Sequence, residues 1–209
     1  MENIRDNKSE MPLRHYKALF TELDPAEVSA RTGLDFNGGY FVIDILGHTL
    51  HAKWPEFELV PSSGGCPKAL TSPNFGILIM RYLIRGKRAA WQGGFMSYRE
   101  LPWGEVYDSN FNGRCRLRLA YGFGNNLEVF VKAAEKLGGA AFAKKPGSVA
   151  VDLPLTGGIT VRMILHEGDE EFSPAAQILF SDNVSSAWDA EDLAGMGEEI
   201  ISALKECRT

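Results

Sequence analysis

A chain of 209 residues with 44% hydrophobic and 23% charged side chains has ordinary globular usage, and it is long enough to bury one core without disulfides or metal. The formal net charge of −5, with only a modest basic stretch, argues against a nucleic-acid binder, and the longest apolar stretch, residues 75–83, is too short to span a bilayer. Cys66, Cys115 and Cys207 lie far apart and are odd in number, which argues against a disulfide framework and against an iron–sulfur or zinc centre within the chain.

Residues 1–11 are polar and charged without an apolar segment, so they read as a flexible tail and not as a signal peptide. The expectation is a cytoplasmic chain with reduced thiols and one α+β domain over residues 12–209. Residues 12–23 carry Leu13, Tyr16, Leu19, Phe20 and Leu23 at helical spacing. Asp24, Pro25 and Glu27 form a strong helix start, and Gly33 ends that helix. Residues 40–46 are β-branched and aromatic, Gly47 punctuates them, and residues 48–54 read as the return strand of a hairpin. Residues 57–60 suggest a third strand, followed by a Ser/Gly/Pro loop over 61–67. Ser72-Pro73 opens a second capped helix that runs to Gly86. Its apolar positions wrap widely around the axis, which predicts a buried central helix.

Residues 91–111 are dense in aromatics and glycine and show no clean period, so they read as a long structured loop with short helical turns. Residues 114–121 and 125–137 read as helices, the second ending at Gly138-Gly139. Residues 149–155 and 159–166 read as a hairpin across Thr156-Gly157-Gly158. Ser173-Pro174 predicts a short helix through Phe180, and residues 189–207 a last helix with Leu193, Met196, Ile200, Ile201 and Leu204 as its apolar stripe. Helices at both ends and in the middle, with hairpins between them, give an α+β class with an antiparallel sheet. Whether the hairpins share one sheet stays open.

The common catalytic motifs are missing: no glycine-rich dinucleotide turn after a strand, no phosphate-binding P-loop, no HExxH and no GxSxG. His48 and His51 fall on opposite faces of a strand, which is poor geometry for a shared metal. The segment His166-Glu167-Gly168-Asp169-Glu170-Glu171 gathers four carboxylates. Asp169, Glu170 and Glu171 could hold a hard cation or supply a general acid, or they could form a solvated turn. Cys66-Pro67 could offer a thiolate to a soft metal or haem iron, and Cys115, between Arg114 and Arg116, would be acidified on a shared exposed surface. Inert thiols are the simpler reading of both.

The aromatic–glycine stretch supplies the cofactor-binding candidates Trp91, Gly94, Tyr98, Arg99, Trp103 and Tyr107. Aromatic faces, close backbone approach at glycine and flanking arginines suit a flat anionic ligand; the alternative is a loop pinned to the core by its rings. Charge is also partitioned. Residues 81–118 hold eight Lys/Arg against three Asp/Glu, and residues 166–209 hold two against eleven. The two segments attract one another, or the acidic one docks a basic partner.

The run from Trp91 through Tyr98-Arg99-Glu100-Leu101-Pro102-Trp103-Gly104, then Gly138-Gly139, Gly168-Asp169-Glu170-Glu171-Phe172-Ser173-Pro174, Ile178-Leu179-Phe180 and Glu191-Asp192-Leu193, resembles domain of unknown function 3786, a family of anaerobic bacteria and archaea. The resemblance runs from about Pro12 to the C-terminus, and its specificity lies in the order of the motifs. It implies an accessory or ligand-binding role in anaerobic metabolism, in the neighbourhood of iron–sulfur or corrinoid proteins; with the aromatic–glycine composition and its arginines, the expectation is a flat anionic cofactor such as a corrinoid or other tetrapyrrole. It implies no specific reaction. The competing expectations are an adaptor docking through the acidic C-terminal segment and an enzyme using Asp169, Glu170 or Glu171.

Overall fold

The computed structural model of the chain describes residues 10–208. Residues 1–9 of the expected tail lie outside the described residues, and helix α1 (Glu10–Thr21) begins directly after them. Asp24 caps α2 (Pro25–Thr32) by accepting from the Ala26 amide, and Gly33 closes it with φ 73°. Strands β1 (Phe36–Asn37), β2 (Tyr40–Ile45), β3 (His48–Lys53) and β4 (Leu59–Pro61) form an antiparallel sheet in that order. The β2–β3 turn is Leu46-Gly47, both with positive φ, the backbone that a two-residue hairpin needs.

Helix α3 (Pro73–Arg85) is the buried centre, as its apolar girdle predicts. Phe75, Leu78, Ile79, Met80, Tyr82 and Leu83 are all buried, and Ser72 accepts from the Phe75 amide as cap. The Arg31 side chain donates to the Leu83 and Gly86 carbonyls and so satisfies the far end.

Residues 91–111 are more ordered than a loop. Within them lie β5 (Phe95–Ser97), a 3-10 turn (Tyr98–Glu100) and α4 (Gly104–Phe111). Helix α4 continues without a break through a π-turn (Asn112–Arg116) into α5 (Leu117–Phe123), and α6 (Leu127–Lys136) follows. Then come β6 (Ala140–Lys145), β7 (Ser148–Pro154), β8 (Thr160–His166), β9 (Ala175–Ser181) and α7 (Ala190–Glu206). The second sheet has the order β5-β9-β8-β7-β6 and is antiparallel throughout.

The two hairpins therefore belong to separate sheets. One further sequence expectation needs correction. The helix expected after Ser173-Pro174 is strand β9, because Ile178 and Phe180 alternate inward and pair with Met163 and Val161 of β8. Strand β6 carries no sequence signal: alanine and lysine dominate it, and only its pairing with β7 makes it a strand.

One core serves both sheets, so the chain is a single α+β domain. Phe20 and Phe41 meet the first sheet's face, while Phe111, Phe123, Phe130 and Phe180 line the second. The hairpin tip joins the two halves. The Leu46 amide donates to the Pro154 carbonyl (2.9 Å), and Gly47 lies so close to Gly138 that a Cβ would sit 2.6 Å from its nitrogen.

Candidate ligand-binding site

The aromatic–glycine segment splits into three environments. Trp91 and Gly94 belong to a turn clamped by Asp182, whose carboxylate accepts from the Gln92 amide (3.0 Å) and the Gly94 amide (2.8 Å). The Trp91 indole donates to the Gly94 carbonyl (2.7 Å) and meets Phe95 edge-on. Gly94 has no room for a side chain, since a Cβ would lie 2.8 Å from Asp182.

Tyr98, the second expected ligand contact, is a core residue. Its ring stacks on Phe111 with centroids 4.0 Å apart, and its hydroxyl donates to the Ala190 carbonyl (2.8 Å). Burial pushes the phenol up to about 12. It offers no surface to a ligand, because its ring is spent on Phe111 of α4 and its hydroxyl on the start of α7.

Trp103, Tyr107 and Arg99 are outside. Arg99 pairs with Glu105 (2.7 Å), both well exposed, and Tyr107 lies one turn along α4. Trp103 is 78% exposed and sits in left-handed backbone (φ 66°, ψ −1°). For a bulky residue this conformation costs about 1–2 kcal/mol. The next residue imposes it: a Cβ on Gly104 would fall 1.9 Å from the Tyr98 carbonyl oxygen, and the Gly104 amide donates to Leu101 (2.8 Å). The chain turns tightly at residues 101–104, and Trp103 takes the strain.

Of the six sequence candidates, Trp103 lines the cleft that the site is built on. The cleft has a volume of about 260 Å³ and is walled by Leu101, Pro102, Trp103, Arg85, Ser185 and Asp189, with Trp188 and Ala190 behind. Sequence reasoning missed Arg85, Ser185 and Asp189. Only the helix over residues 189–207 and the one ending at Gly86 were legible, and nothing local places their ends opposite Trp103.

Electrostatics tie this cleft to the core. Arg81 and Arg85 on α3 face Asp189 and Asp192 at the start of α7. Arg81 lies 3.0 Å from Asp189 and 2.8 Å from Asp192, and Arg85 lies 2.8 Å from Asp189 and also contacts Asp192. Burial pushes Asp192 up to about 6 against the pull of Arg81. Asp189 is held below the usual carboxylate range: the Asp192 amide and the guanidinium of Arg85 outweigh its burial. Arg85 uses only Nη2 in these contacts, so the rest of its planar fork makes no hydrogen bond among the described residues.

The charge partition resolves in the same way. Glu198 of α7 pairs with Arg114 (2.6 Å) and Arg118 (3.5 Å), and Glu206 accepts from the Lys68 and Ala69 amides. Three carboxylates of the acidic segment, Asp189, Asp192 and Glu198, thus pair with the chain's own basic middle. Asp169 accepts from the Glu171 and Phe172 amides within its turn, Glu170 and Glu171 are exposed, and none of the three lines a described cleft. Cys115 is fully buried, its thiol pushed up to about 12 by that burial, and burial with Glu206 and Cys207 nearby raises Cys66 as well. Among the described residues no group of three or more His, Cys, Asp or Glu is arranged to hold a metal ion, and no helix is long and apolar enough to cross a membrane.

No curated protein and no solved structure matches the chain. A family profile described as Domain of unknown function (DUF3786) matches residues 24–203, most of the sheet-and-helix core and the whole of the Trp103 cleft. The chain belongs to that family.

Proposed function

We propose that the chain is a ligand-binding accessory protein whose receptor is the cleft between Trp103 and Arg85. The observation that carries this reading is Trp103 itself. A large apolar ring is held in solvent, in strained backbone, at the mouth of a concavity whose opposite wall carries a half-exposed guanidinium. Strain of this kind persists where the surrounding fold imposes it and clusters at ligand sites. A flat ring would lie against the indole, and an anionic edge would meet the unused donors of Arg85.

The volume restricts the guest. Enclosing pockets for cofactor-sized ligands run from about 300 to about 1,000 Å³. A cleft of about 260 Å³ takes the carboxylate-bearing edge of a tetrapyrrole, with the remaining ring outside. A guest held by one edge can be passed to another protein, which suits an accessory role in anaerobic metabolism beside a corrinoid or iron–sulfur partner.

Titration with haem and, separately, with cobalamin tests the reading through the absorbance of the ligand and the fluorescence of tryptophan. The expected result is saturable quenching that Trp103→Ala abolishes. Absence of any spectral change up to the solubility limit of both ligands contradicts it.

A further inference from the structure

Cys115 is fully buried, whereas Cys66 and Cys207 are half-buried. The fold brings that second pair, distant in sequence, to one place. Cys207 caps the last turn of α7 directly after Glu206, and the Glu206 carboxylate accepts from the Lys68 amide (2.6 Å) and the Ala69 amide (3.0 Å). Those amides open the 3-10 turn (Lys68–Thr71) that follows Cys66-Pro67. One side chain therefore pins the end of α7 to the loop that carries Cys66. The Cys66 thiol lies 3.7 Å from the Pro67 carbonyl oxygen, beside that turn, and the Cys207 thiol is near enough for its charge, when ionised, to be felt at Cys66.

The loop is also free to adjust. Ser62, Ser63, Gly64 and Gly65, which precede Cys66, are all exposed. Gly65 has φ 84°, and a Cβ on either glycine would meet nothing within 4 Å. Glycine backbone in open space yields readily. Helix α7 is the fixed side, anchored by the buried Met196, Ile200, Ile201 and Leu204.

We propose that Cys66 and Cys207 are a redox pair, reduced at rest and closed to an intramolecular disulfide by hydrogen peroxide. Burial raises the Cys207 thiol, and the Lys136 ammonium pulls the other way from its bond to the Cys207 carbonyl (3.2 Å). That cation makes Cys207 the first nucleophile. Its thiolate attacks one peroxide oxygen and the O–O bond breaks. Cys207 becomes a sulfenic acid, and the departing hydroxide takes a proton to leave as water. The Cys66 thiolate then attacks the Cys207 sulfur, the S–O bond breaks, and a second hydroxide leaves as water. Two thiols are oxidised to one disulfide, and one peroxide is reduced to two waters. Cys115 cannot take either part, because its thiol is enclosed against α7 and donates to the Ala194 carbonyl (3.4 Å). The bond ties α7 to the loop that leaves β4 and closes about 140 residues of chain, a length at which a cross-link restricts the unfolded state strongly.

Treatment of the full chain with stoichiometric hydrogen peroxide at about pH 8.5 tests this, since burial and the Glu206 carboxylate hold the proton on Cys66 at lower pH. Remaining thiols are alkylated in denaturant, and the chain is digested without reductant and read by mass spectrometry. The expected result is a peptide linking Cys66 to Cys207 within one chain, with Cys115 alone alkylated, and a melting temperature about 5 °C or more higher that falls back on reduction. Cys66→Ser and Cys207→Ser each abolish the link and the shift, and unchanged circular dichroism shows that both variants fold. Separate oxidised adducts on Cys66 and Cys207 with no linked peptide overturn the proposal. So does a link that involves Cys115 or joins two chains.

Discussion

At the residue scale, Trp103 separates stability from function. Its left-handed backbone is the conformation that glycine adopts freely, and its ring makes little use of the core. Trp103→Gly is therefore expected to leave folding stability unchanged or to raise it by up to about 1 kcal/mol, while abolishing ligand binding. Urea unfolding beside the haem titration checks both halves; a loss of stability above about 1 kcal/mol would make the indole a packing residue. Asp192 gives a second prediction, with its sign set by burial. Its folded value of about 6 lies above the ordinary 3.8, so the folded chain binds the proton more tightly than the unfolded chain. The stability this group contributes is full below about pH 4 and is lost as pH rises through about 6, by roughly 3 kcal/mol. Asp192→Asn removes that dependence. The margin of wild type over variant, read from urea unfolding at several pH values, should shrink between pH about 4 and about 7. A margin that widens with pH would mean that the two arginines dominate.

At the element scale, the parts read correctly from sequence are those whose signal is local. Asp24-Pro25 and Ser72-Pro73 each announce a helix through cap chemistry between neighbours, the apolar stripe of residues 189–207 announces the last one, and each helix is present. Gly47 announces the hairpin for the same reason. Strand β9 was misread because Ser173-Pro174 imitates a helix start, and only pairing with β8 and β5 decides the matter. The strain at Trp103 was illegible as well, since it is imposed by the contact of Gly104 with the Tyr98 carbonyl. The unbroken run of α4 into α5 supports a third prediction. Gly113 is an exposed helical glycine with open space around it, so Gly113→Ala should stabilise the fold by about 0.5–1 kcal/mol in thermal or urea unfolding, and a destabilised variant would show that the π-turn needs glycine.

At the scale of the whole molecule, two sheets share one core, and the joint between them is narrow. Gly47 against Gly138 and the Leu46 amide on Pro154 are close backbone contacts between the hairpin tip and the second sheet. Gly47→Ala adds a Cβ with nowhere to go, in a positive-φ turn, and should cost about 2 kcal/mol or more in equilibrium unfolding. A neutral result would mean that the joint yields. Part of the charge partition is internal, with Asp189, Asp192 and Glu198 of the C-terminal segment paired to arginines of the basic middle.

The central claim is that the cleft beside Trp103 receives a flat anionic guest. The indole N–H spectrum of the four tryptophans, recorded as zinc protoporphyrin is added, tests it most directly. The account predicts a saturable shift that is largest at Trp103, smaller at Trp188 in the wall behind it, and absent at Trp54 and Trp91. A spectrum that does not move, or one in which Trp91 moves and Trp103 does not, would contradict it.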